Sequence, residues 1–132
     1  MKMWEAILEG SKLTKQAFGR WVNEAMTATC ALGAAMLVSG GLKQGYMCPS
    51  KDIRVTFPVG AQPRRCPLTE CTTIAGGDVA STIAHLNDHH LWSREKIAYW
   101  LRDIEEPNWR DRITVPAILA SLETSEKELV NA

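Results

Sequence analysis

Apolar residues recur at helical spacing along the first 26 positions. Trp4, Ile7 and Leu8 fall at i, i+3 and i+4 and predict a helix that Gly10 and Ser11 interrupt. Phe18, Trp21, Val22 and Met26 predict a second helix over about 14–26. An alanine-rich helix is predicted over about 29–39, with Gly40 and Gly41 as its stop. Residues 40–65 change character: Gly40, Gly41, Gly45, Pro49, Pro58, Gly60 and Pro63 mark a loop. Inside it, the β-branched and aromatic run 53–57 predicts one short strand or hairpin.

Helical spacing returns at Val79, Ile83 and Leu86, and a break is expected near 90–92. Ser93 is a good N-cap, and Ile97, Trp100, Leu101 and Ile104 then fall at i, i+3, i+4 and i+7. Pro107 ends that helix. Thr114 can cap a last one, with Pro116 in its first turn and Ile118, Leu119 and Leu122 as its apolar face. The expected fold is mainly α: a single domain, 1–132, with at most one short strand or hairpin. N-terminal helices occupy 1–40, the loop 41–65, a Cys/His module 66–92 and C-terminal helices 93–123.

Composition adds exclusions. Hydrophobic residues are 45% and charged residues 23% of the 132, which excludes global disorder. Fifteen Lys/Arg balance fifteen Asp/Glu, which excludes a uniformly basic nucleic-acid wrapper. The balance hides an asymmetry: residues 1–75 carry nine basic and five acidic residues, residues 76–132 six and ten. Two surfaces of one fold that attract each other explain this more simply than a polyanion partner. The uncharged run 25–42 brushes the length of a membrane span, but its Thr, Ser and Gly content favours a close-packed helix and no membrane. Glu5 and Glu9 sit where a secretory leader would be apolar, so a reducing cytoplasm is the expected compartment.

The chemistry is concentrated in one stretch. Cys66 and Cys71 are separated by four residues, and thirteen more lead to His85, His89 and His90. Two thiolates and two imidazoles at this spacing fit a tetrahedral zinc site. The expected ligands are Cys66, Cys71, His85 and His90, with His89 as the substitute for His90. His85 and His89 share a face of a regular helix, whereas His90 requires a distorted final turn. Four protein ligands close the shell, which makes the zinc structural rather than catalytic. Asp88 is the candidate that orients a ligand from outside the shell. Cys30, in the alanine-rich segment, reads as a small buried hydrophobe. Cys48 could supply an alternative third thiolate.

The stretch 85–101, reading HLNDHHLWSREKIAYWL, resembles a signature of small, mostly uncharacterised phage and prophage proteins. There an HLND element, a second His and a Trp precede a helix of the form S/T-R-E-x-I-A-x-W-L. The segment from Cys30 to Ala35 and the Cys66-Pro67 turn resemble the same proteins. Position 89 is commonly acidic in that pattern, which makes His90 the matching second His; the Cys pair is often spaced more tightly there. The resemblance implies a phage accessory or virion component that contacts other phage or host proteins in the host cytoplasm or in the virion. Of the five Trp, Trp4, Trp21 and Trp100 are expected in the core and Trp109 at an exposed interface. The alternative function is DNA or RNA binding, with Arg64 and Arg65 on phosphates and the helix after Ser93 as the reader. Glu95, Asp103, Glu105 and Glu106 on that helix oppose it. No phosphate loop, nucleophile elbow or HExxH is present, so no enzyme is expected.

Overall fold

The computed structural model describes residues 1–40, 50–71 and 77–110. The expected last helix at 114–122 and Cys48 lie outside the described residues. Among those described, the order is α1 (Met3–Leu13), β1 (Lys15–Gln16), β2 (Ala28–Thr29), α2 (Ala31–Ser39), α3 (Ser50–Thr56), a 3-10 turn (Pro58–Ala61), α4 (Val79–Asp88) and α5 (Arg94–Glu105). The fold is mainly helical, and its two short strands pair in parallel, Lys15 with Ala28 and Gln16 with Thr29. One apolar cluster joins the helices: Met3 and Ile7 of α1, Met36 of α2, Ile53 of α3, Ile83 and Leu86 of α4, Ile97 and Leu101 of α5. No described helix is long and apolar enough to cross a membrane.

Gly10 does not interrupt α1. It lies inside the helix, and a Cβ there would sit 2.2 Å from the backbone oxygen of Ala34 in α2. Ala6, Ala31, Ala34 and Ala35 are buried with it, so small side chains let α1 and α2 approach backbone to backbone. The Gly10→Ala variant is expected to lose about 1–3 kcal/mol through overpacking, although alanine is the better helix former. Urea unfolding measures this directly, and a variant at least as stable as the parent would contradict the close approach.

The predicted helix over 14–26 is absent. Gly19 and Met26 adopt positive φ, 72° and 56°. The Asn23 side-chain oxygen accepts from the amides of Thr27 and Ala28, an alternative to helical bonding typical of Asn. Trp21, Val22 and Met26 still pack against the core, but Phe18 is 50% exposed. The predicted strand at 53–57 is also overturned: residues 53–56 belong to α3, and Phe57 follows it as the cap of the 3-10 turn. Ile53 and Phe57 are buried four residues apart on the core side. Arg54 meets the Asp78 carboxylate through Nε at 2.7 Å and Nη2 at 3.0 Å.

Helix ends follow local chemistry closely. Ser93 caps α5 by accepting from Lys96 N–H, and Asp78 caps α4 by accepting from Ser81 N–H. Gly40 closes α2 in the left-handed conformation at φ 82°. Lys2 offers α1 no side-chain cap. Glu105, at the far end of the chain's described part, accepts from the amides of Met3 and Trp4 instead. Lys2 also pairs with Glu106 at 3.1 Å. Together with Arg54–Asp78, these contacts join the basic first part of the chain to the acidic second part, as two attracting surfaces should.

Ile97 and Leu101 of α5 are fully buried, as expected. Trp100 and Ile104 are only half-buried, because they flank the core instead of entering it. Trp4 and Trp21 are half-buried as well. Trp109 is partly covered: Arg102 stacks 3.7 Å from its ring centre, and its Nε1 donates to the Asp103 carboxylate. It therefore engages its own chain more than an exposed interface anchor would.

Candidate metal centre

The centre is built from a loop and the end of a helix. Residues 62–64 pair with 77–79: Arg64 N–H donates to Gly77 O, and Val79 N–H to Gln62 O. Thr82 of α4 donates its hydroxyl to Arg64 O at 2.7 Å. The chain entering Cys66 is thus fastened along the first turns of α4. A tight turn follows, closed by Cys71 N–H on Leu68 O at 3.0 Å, and it returns the second cysteine toward the helix.

At the other side, α4 ends in a widened turn. His85 O accepts from His89 N–H and, at 3.3 Å, from His90 N–H, an i+5 bond. Leu86 O accepts from Trp92 N–H, and Leu91 takes a left-handed φ of 54° while 65% exposed. A regular helix places residues i and i+5 about 140° apart around the axis. The widening swings His90 back over His85.

As a result, the donor atoms of Cys66, Cys71, His85 and His90 all lie within 4.8 Å of one another, an arrangement that could hold a metal ion. Cys71 Sγ is 3.3 Å from His85 Nε2, and Cys66 Sγ is 3.5 Å from His90 Nε2. The two Nε2 atoms are 3.0 Å apart. All four residues are half-buried. His89 is exposed, and its ring stacks on His85 with centroids 4.9 Å apart, outside the converging group.

The electrostatics suit a cation. Burial pushes the Cys66 thiol above its usual range, the Leu68 amide opposes this, and the neighbouring Cys71 sulfur pushes it further up. Two thiolates so close repel each other unless a cation lies between them. Burial and the adjacent His90 and His89 rings hold His85 below the ordinary imidazole range. The neutral ring is the form that ligates metal.

Asp88 serves a different purpose from the one its position suggests. Its carboxylate accepts from Gly19 N–H at 2.8 Å and from Asn87 Nδ2 at 2.7 Å, and it makes no hydrogen bond to an imidazole. Arg64 and Arg65 are both exposed beside the cysteine loop. Sequence reasoning missed Asn87, which is fully buried next to the centre. Its Oδ1 accepts from Gln16 Nε2 and Ala31 N–H, and its Nδ2 donates to Ala17 O. The available signal was an amide on the buried side of α4, one residue after Leu86. No known protein family, curated protein or solved structure matches the chain.

Proposed function

We propose that the four side chains hold one structural zinc ion, and that the protein works by binding other proteins without catalysing a reaction. The observation that carries the zinc reading is the convergence, among the described residues, of four soft or borderline donors. Zinc bonds of about 2.0–2.3 Å in a tetrahedron separate nitrogens by about 3.3 Å and sulfur from nitrogen by about 3.5 Å. Separations of 3.0, 3.3 and 3.5 Å come close to those figures. Four protein ligands fill every tetrahedral position, which leaves none for a catalytic water. The resemblance to small phage and prophage proteins supports a phage accessory or virion component acting on phage or host proteins, inside the host cell or in the particle.

Nucleic-acid binding is the second reading, and exposed Arg64 and Arg65 beside the cysteine loop favour it. The helix it would use as a reader supports it less. Arg94 is buried, and Lys96 lies over the Trp92 ring at 4.2 Å. Elemental analysis of protein purified without added metal is expected to return one zinc per chain. Cobalt substitution is expected to produce the visible absorption of a tetrahedral sulfur–nitrogen site. A folded, metal-free chain that takes up neither ion would refute the zinc site. Tight, steeply salt-dependent binding to duplex DNA or to RNA would replace the protein-binding reading with the second one.

A further inference from the structure

We infer that Cys66 and Cys71 form an oxidation-sensitive dithiol, which hydrogen peroxide converts to an intramolecular disulfide with release of the metal. This rests on the zinc reading above. Both sulfurs belong to the group of donor atoms within 4.8 Å of one another. They are half-buried thiols at the two ends of a short loop whose intervening residues, Pro67 to Glu70, are all exposed. Small oxidants therefore reach them. Residues 65–71 contain no helix or strand, so the loop can yield the further approach a disulfide requires. Arg64 is fastened by backbone to Gly77 and by its carbonyl to Thr82 of α4, and the turn beyond it is closed by Cys71 N–H on Leu68 O.

The step balances without another reactant. One thiolate attacks a peroxide oxygen, the O–O bond breaks, and a sulfenic acid forms as hydroxide leaves. The second thiolate attacks that sulfur, the S–S bond forms, and a second hydroxide leaves. The two sulfurs give up two electrons, and the peroxide is reduced to two hydroxides, which take protons to become water. Both thiolate ligands are lost, and His85 and His90 alone are a poor zinc site. A small dithiol reverses the reaction by exchange. Cys30 does not compete: it is 6% exposed, and burial pushes its thiol up to about 11.

The test treats the zinc-loaded full chain with hydrogen peroxide in the presence of a chromogenic chelator. Non-reducing peptide mapping by mass spectrometry is run on the same samples. One equivalent of zinc is expected to be released in step with one Cys66–Cys71 disulfide, and dithiothreitol followed by zinc should restore the starting state. Zinc retained under peroxide overturns the switch and leaves the zinc site standing. Release accompanied by sulfinic or sulfonic acids, or by a disulfide to Cys30 or Cys48, overturns it too. A chain that never binds zinc overturns the zinc reading itself and the switch along with it.

Discussion

Chelating the metal is expected to open residues 62–71 and the last turn of α4 while α1, α2 and α5 keep their protection. In isolated zinc-finger peptides, metal binding contributes about 10–16 kcal/mol, and that energy is the folding energy. This chain differs, because Met3, Ile7, Met36, Ile53, Ile83, Ile97 and Leu101 are fully or almost fully buried without help from the centre. The cysteine loop has no comparable support: Pro67, Leu68, Thr69 and Glu70 are exposed, and Cys66 packs only partly against the core. Hydrogen exchange with and without chelator should show fast exchange confined to the loop and to the amides of His89, His90 and Trp92. Loss of protection across Ile7 and Leu101 would mean that the metal holds the whole body together. Acid should act in the same direction as chelator. Thiolates and neutral imidazoles bind metal only when deprotonated, so falling pH favours release. The metal-free chain has a further acid weakness at His85. Its folded-state pKa lies below 6.5, so its contribution is complete above 6.5 and is lost as pH falls through the lower folded value. Cys71→Ser should lower affinity by more than the about 10–100-fold that loss of an outer partner costs.

Replacing Arg94 by Met is expected to destabilise the fold by several kcal/mol, since each buried acceptor left unpaired costs about 1–3 kcal/mol. Arg94 is 4% exposed, and its charge satisfies backbone rather than a carboxylate. Nη2 donates to the carbonyls of Ser11 and Thr14, at the end of α1, where a helix leaves oxygens without partners. A cation there also complements the helix dipole. Nη1 donates to the hydroxyls of Thr14 at 2.7 Å and Thr29 at 3.1 Å, which ties α5 to β2 and to the residue before β1. Met fills similar volume but leaves these acceptors buried and unpaired. Lys should recover only part of the loss, since one ammonium cannot reproduce a planar fork of donors. Urea unfolding of the three proteins decides this. A Met variant within about 1 kcal/mol of the parent would mean that the threonines and carbonyls find water instead. Zinc stoichiometry should be unchanged in the Lys variant, because the hydrogen bonds of Arg94 go to Ser11, Thr14 and Thr29 and not to the four side chains of the proposed centre.

α5 was legible from the chain alone because its signals are local. Ser93, Ile97 and Leu101 carry cap and core face within one element, and nothing distant competes. The stop at Gly40 was legible for the same reason: a left-handed residue costs least as glycine. Cys66, Cys71, His85 and His90 were legible as a group that could hold a metal ion, since donor type and spacing are properties of the sequence.

The rest depended on partners far along the chain. Residues 14–26 carry helical spacing, but Thr14 and Thr29 are drawn to Arg94 and Gln16 to Asn87, so the segment forms short strands and a loop. The β-branched run at 53–56 becomes helix because Ile53 and Phe57 enter the shared core while Arg54 reaches Asp78. Gly10 reads as a break until the backbone of Ala34 arrives against it. His90 meets the cysteines only because the end of α4 widens, with Trp92 N–H held on Leu86 O and Leu91 left-handed. Donor identity is local chemistry that sequence carries by itself. Which donors converge depends on backbone hydrogen bonds and packing between distant segments, and only the tertiary structure supplies those.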